Sequence, residues 1–124
     1  MKVLHTEKAP AAVGPYVQGI EHGDFVFTSG QLPINPETGE LVTCCIQKAT
    51  YQSLSNCLAI VEQAGLKKEN ILKCTIFVKD MNDFADINKE YEAFFGDHKP
   101  ARSCVEVARL PKDAKIEIEV IAAK

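Results

Sequence analysis

Only two of the fourteen basic residues in this 124-residue chain are arginines, Arg102 and Arg109, and they lie within eight residues of each other. Where lysine supplies the general surface charge, a rare arginine suggests a need for guanidinium geometry. Residues 101–107 read ARSCVEV, and a strand period of two puts Arg102, Cys104 and Glu106 on one face and Ala101, Ser103, Val105 and Val107 on the other. Residues 116–120 read IEIEV, with Glu117 and Glu119 opposite the isoleucines and Val120. If the two strands pair as antiparallel neighbours, matching apolar face to apolar face sets Arg102, Cys104, Glu117 and Glu119 on one common surface; if they are not neighbours, the same facing rule applies across a shared sheet, at distances left open. Arg102 would then hold a carboxylate through two parallel hydrogen bonds, and a glutamate would orient or deprotonate a water. Cys104 would be a nucleophile if its pKa were depressed, or a small residue that tolerates a close ligand. The structural alternative is an Arg–Glu cross-strand ion pair on a wet sheet surface.

Other polar positions are weaker singly. Asn88 interrupts an apolar helical stripe, as a satisfied core amide or as a ligand or interface contact. Ser29-Gly30 ends a strand, where glycine lets backbone N–H groups face a ligand or simply makes a turn. Tyr16, after Gly14-Pro15, caps a pocket or anchors its loop. Arg109 sits in a turn and reads as surface charge or an ion-pair partner. No phosphate-binding, dinucleotide, zinc-protease or serine-hydrolase motif occurs. His5, His22 and His98 sit apart with no ligand spacing, so no metal site is expected. Five cysteines, one adjacent pair and no C-x-x-C spacing fit neither a disulfide framework nor structural zinc; they read as reduced, buried cysteines of a cytoplasmic protein. A net charge of −3 argues against nucleic acid as the default partner. No signal-peptide core and no apolar run of membrane-spanning length occurs.

The elements that must position these residues follow from periodicity. The length fits one domain, residues 1–124. Strands are expected at 2–5, 17–21 and 24–28, the last two flanking the turn His22-Gly23, followed by a Pro- and Gly-rich loop. Residues 43–64 change to a helical period and stop at Gly65. A strand over 71–79 faces Leu72, Cys74, Ile76 and Val78 one way. Asp83 is the expected N-cap of a second helix whose stripe carries Phe84, Ile87, Asn88, Tyr91, Phe94 and Phe95. Strands over 101–107 and 115–122 complete an α+β fold, two helices covering one sheet face. Phe77, Ile121 and the stretch 25–27 leave apolar side chains on the other face, which two helices cannot also cover, so that face is expected to meet another subunit.

The stretches GPYVQGI (14–20), FTSGQLPINPETGE (27–40), FVKDMNDFADINKEYEAFF (77–95) and, most specifically, PARSCVEVARLPKDAKIEIEVIA (100–122) resemble the RidA, or YjgF-like, family nearly end to end. The resemblance implies a chorismate-mutase-like α+β domain with a mixed sheet, assembled as a homotrimer with interfacial clefts. It also implies hydrolysis of 2-aminoacrylate, 2-iminobutanoate or 2-iminopropanoate to 2-oxo acids and ammonia, without cofactor or metal, as control of metabolite damage in the cytoplasm. The family's carboxylate-binding arginine falls on Arg102, its water-orienting glutamate on Glu117 and its site cysteine on Cys104. Its pocket tyrosine, serine and glycine fall on Tyr16, Ser29 and Gly30, and Asn88 matches a recurrent position. The segment GDHKP (96–100) departs from many relatives: it is shorter, and Lys99 stands where an aromatic residue often precedes the proline. Two rival readings stand beside it, a non-catalytic binder or sensor of 2-oxo acids and a protein- or RNA-interaction role such as translation inhibition or chaperoning.

Overall fold

A computed structural model describes residues 1–124. Its strands are β1 (Lys2–Leu4), β2 (Gly19–His22), β3 (Phe25–Thr28), β4 (Ile71–Val78), β5 (Ala101–Glu106) and β6 (Ile116–Ala123), and its helices are α1 (Ile46–Gln63) and α2 (Phe84–Phe95). They form a mixed six-stranded sheet in the order β1-β2-β3-β6-β4-β5. Every pairing is antiparallel except β4 with β5, which α2 connects as a crossover between parallel strands. The α+β expectation of two helices on one sheet face therefore holds. No helix is long and apolar enough to cross a membrane.

The core lies between the helices and the central strands. Cys74, Ile76 and Val78 of β4 and Ile116, Ile118 and Val120 of β6 point toward the helices and are buried. Leu54, Cys57, Ile60 and Val61 of α1 and Ile87, Tyr91, Phe94 and Phe95 of α2 meet them from above. Alternation along the strands and three- and four-residue spacing along the helices select these positions. Gly19 lets α1 sit this close: a β-carbon there would come within 2.6 Å of the Ile60 side chain.

The opposite face is open. Val3, Phe25, Phe27 and Val105 are exposed there, beside the half-buried Ile20, Phe77 and Ile121. The apolar second face read from the sequence is thus present.

Three local expectations change. Leu72 does not share a face with Cys74: a bulge between Ile71 and Lys73 turns Ile71 inward and leaves Leu72 exposed. Asp83 makes no side-chain cap; the Asp80 carboxylate instead accepts from the Asn82 N–H and starts a short 3-10 turn that leads into α2. The cysteines are not all buried, since Cys44 is exposed and Cys45 and Cys104 are half-buried.

Candidate active site

The common surface expected for Arg102, Cys104, Glu117 and Glu119 does not form within one chain. Strand β5 does not pair with β6; β4 lies between them. Arg102 is level with Cys74 and Cys104 with Ile76, so both project to the helix side. Glu117 is level with Phe77 and Glu119 with Thr75, so both project to the open face. The face-matching rule fails because β5 is an edge strand. It sends its small and apolar residues, Ala101, Ser103 and Val105, to the open face, while on the other side Arg102 meets Asn88 of α2, Cys104 packs at the margin of the core and Glu106 accepts from the Met81 N–H. Within one chain, the arginine and the glutamate stand on opposite sides of the sheet.

Each anchors its own cleft. The arginine cleft, about 360 Å³, is lined by Asn88, Tyr91, Glu92, Phe95, His98, Lys99 and Arg102, among others. Arg102 donates from Nη1 to Asn88 Oδ1 at 2.6 Å, and its guanidinium carbon lies 5.0 Å from the centre of the Tyr91 ring and 5.5 Å from that of Phe84. Asn88 and Tyr91 lie one turn apart on α2, so helical spacing builds this holder. The chain's two ion pairs are Arg109–Asp113 and Lys124–Glu21. Arg102 therefore has no acid of its own, and the cross-strand ion pair is excluded. One of its five donors is committed to an amide; the rest are available to an anion. Cys104 is level with Ile76 on the same side. Burial pushes its thiol up, and Arg102 opposes that shift only in part, the reverse of what a nucleophile needs.

The glutamate cleft is larger, about 560 Å³, and gathers Tyr16, Gln18, Ser29, Gly30, Gln31, Pro111, Lys112 and Glu117 with several aliphatic residues. Three of the residues singled out in the sequence, Tyr16, Ser29 and Gly30, thus meet Glu117. Tyr16 is half exposed, the position of a cleft wall rather than of a packed anchor. Ser29 is fixed by its hydroxyl, which donates to Val17 O at 2.6 Å, and by its N–H, which donates to Gln18 O at 2.8 Å. The N–H of Gly30 is bonded to nothing in the protein. Gly30 also lacks the atom that would fill the space of the acid: a β-carbon there would lie 2.8 Å from Glu117 Cδ and 2.9 Å from Oε2. Burial, then the charge of Glu119, raises the pKa of Glu117 above the ordinary carboxylate range.

Residues not singled out in the sequence hold this cleft together. Buried Gln18 donates to Thr6 O, Ala9 O and Pro10 O and accepts from the Thr6 N–H at 2.7 Å, tying down the loop that carries Tyr16. Gln31 exchanges backbone hydrogen bonds with Ile118 and so fixes the strand end beside Glu117. Pro111 and Lys112 form the other wall, in a turn where Lys112 and Asp113 both have positive φ (58° and 55°) and Arg109 pairs with Asp113 at 2.8 Å. Arg109 is therefore an ion-pair partner in that turn. No cluster of three or more His, Cys, Asp or Glu side chains suitable for a metal ion occurs.

Residues 6–124 match the family described as Endoribonuclease L-PSP. The chain is 60% identical to the 2-iminobutanoate/2-iminopropanoate deaminase of Escherichia coli, over 99% of this chain and 98% of that one. Among solved structures it is similar to the YjgF gene product of E. coli, with a TM-score of 0.97, 58% identity, and 100% and 99% of the two chains covered. It is also similar to E. coli TdcF with bound serine, with a TM-score of 0.96, 52% identity and the same coverage.

Proposed function

The chain belongs to the RidA (YjgF-like) family, and on that footing we propose that it is a deaminase of reactive imines, converting 2-iminobutanoate, 2-iminopropanoate and the products of 2-aminoacrylate to 2-oxo acids and ammonia. The observation that carries this reading is a guanidinium with no acid partner in one cleft, beside a second cleft whose carboxyl group is pushed toward holding a proton. These are the groups that a small imine with a carboxylate requires. In one chain they face opposite sides of the sheet, so a working site needs two copies. The exposed apolar open face supports such an assembly, a homotrimer in which the Arg102 edge of one copy abuts the Glu117 cleft of the next. Residues 1–124 then act as one domain of a shared enzyme, cytoplasmic and engaged in damage control.

In this site Arg102, steadied by Asn88 and the faces of Tyr91 and Phe84, clamps the substrate carboxylate. The unspent Gly30 N–H donates to the substrate, and Tyr16 and Ser29 close the wall. Glu117 takes a proton from water as the water oxygen bonds to the imine carbon and the carbon–nitrogen π pair moves to nitrogen. Returning the proton to nitrogen yields a carbinolamine. Glu117 next passes the hydroxyl proton to the amino nitrogen; the C–N bond then breaks, ammonia departs with the bonding pair, and the oxygen lone pair closes the carbonyl of the 2-oxo acid. Holding water and carbon together supplies much of the acceleration. Cys104, its thiol protonated, contributes its small size and its backbone to the arginine side.

The test uses a threonine dehydratase to generate the imine while a trapping reagent reports its lifetime. Arg102→Ala and Glu117→Gln homo-oligomers should each leave the imine near its spontaneous rate. Refolding the two variants together in equal amounts should restore about a quarter of wild-type activity, because each mixed trimer regains one intact cleft of three. Single variants as active as wild type would remove these residues from the reaction. Inactive singles with no recovery on mixing would remove the shared cleft.

A further inference from the structure

Both clefts leave one reactive cluster unused. Cys44 and Cys45 line neither, and their sulfurs stand 3.9 Å apart at the surface. Cys45 has extended backbone (φ −164°, ψ 157°) and occupies the N-cap of α1, the place usually taken by Ser, Thr, Asp or Asn. Its side chain makes no capping hydrogen bond, and its sulfur accepts from the Cys44 thiol. We propose that Cys44 and Cys45 form a peroxide-reactive dithiol that closes reversibly to a vicinal disulfide.

The Cys45 thiolate attacks one oxygen of hydrogen peroxide; an S–O bond forms, the O–O bond breaks, and hydroxide leaves and is protonated to water. Cys45 is thereby oxidised by two electrons to a sulfenic acid. The Cys44 sulfur then attacks the Cys45 sulfur; the S–S bond forms, the S–O bond breaks, and the hydroxyl leaves as water with the Cys44 proton. Two thiols and one peroxide become one disulfide and two waters.

Three observations favour this pair over the other thiols. Cys57 and Cys74 are buried. Cys104 is half-buried like Cys45, but burial pushes its thiol up. The Cys45 thiol is lowered instead, first by the Lys48 N–H at the start of α1, against a smaller desolvation effect, with help from Cys44 and the Lys48 ammonium. Closure carries the sulfurs from 3.9 Å to about 2.05 Å. Adjacent α-carbons, about 3.8 Å apart, are closer than most disulfides allow, so the ring is strained and readily reduced. Cys44 immediately precedes the N-cap Cys45 of α1 and is exposed.

The test treats the full chain with limiting hydrogen peroxide, blocks remaining thiols with iodoacetamide and maps peptides by mass before and after dithiothreitol. A Cys44–Cys45 link that dithiothreitol opens is the expected result. Cys44→Ser should halt at a Cys45 sulfenic acid captured by dimedone, and Cys45→Ser should slow oxidation of this peptide about tenfold or more. Oxidation of Cys104 before Cys45, links between chains, or a Cys45 sulfinic acid with Cys44 still free would each overturn the proposal. None of these readouts depends on imine hydrolysis.

Discussion

Gly30→Ala tests the glutamate cleft with a single methyl group. The added β-carbon would sit 2.8 Å from Glu117 Cδ, 2.9 Å from Oε2 and 3.1 Å from Cγ. Ordinary van der Waals contact begins at 3.4 Å, so the carboxyl group must retreat by about 0.6 Å or rotate away. It is the mobile end of its side chain, so the fold should tolerate the shift, at less than the ~1–3 kcal/mol of an overpacked core. Catalysis should not tolerate it, because a displacement approaching 1 Å costs on the order of 10²-fold when geometry supplies the rate. We expect kcat/KM to fall about tenfold to a hundredfold in the coupled dehydratase assay, with urea unfolding close to wild type. The Gly30→Ala, Glu117→Gln double variant isolates the cause. If the methyl group acts through the carboxylate, the double variant should be no worse than Glu117→Gln alone. Wild-type turnover in a folded Gly30→Ala protein would refute the reasoning, as would losses that multiply in the double variant.

Arg102→Lys keeps the charge but loses the fork and its seat on the Tyr91 and Phe84 rings; kcat/KM should drop about tenfold to a hundredfold, and full activity would show that a point charge suffices. Because burial raises the Glu117 pKa, the acid limb of the pH–rate profile should lie above the ordinary glutamate value of about 4.3 and vanish in Glu117→Gln. The same shift sets a sign for stability: the native state holds this proton more tightly, so its contribution is present below about pH 4.3 and is lost as pH rises through the raised native value. Urea unfolding across that window should slope downward more steeply in wild type than in Glu117→Gln; parallel curves would contradict the assignment. Phe27→Asp puts a charge on the open face and should yield a folded but smaller species by light scattering, with imine hydrolysis lost; an unchanged mass would exclude this face as the contact.

The helices, the strands and the apolar second face were legible in the sequence because each is a matter of period: Ile76 and Val78, or Tyr91 and Phe95, fall on the core by counting. What periodicity could not carry was order within the sheet. Pairing β5 with β6 looked natural because they follow one another in the chain, yet β4 enters between them, and a parallel edge strand obeys a different facing logic from a buried one. Similarly, Gln18 and Gln31 gave no signal, since an amide that anchors a loop reads like any other polar residue until its partners Thr6 O, Pro10 O and Ser29 O are in place. The failed expectation is also the most informative. Had Arg102 and Glu117 shared a surface in one chain, they would have stood as a candidate ion pair, each satisfying the other and leaving little for a substrate. Separated by the sheet, the arginine keeps its donors and the glutamate keeps its raised pKa. In the shared cleft proposed above, two copies would complete the charge of the site, and the substrate carboxylate would supply the anion that Arg102 lacks.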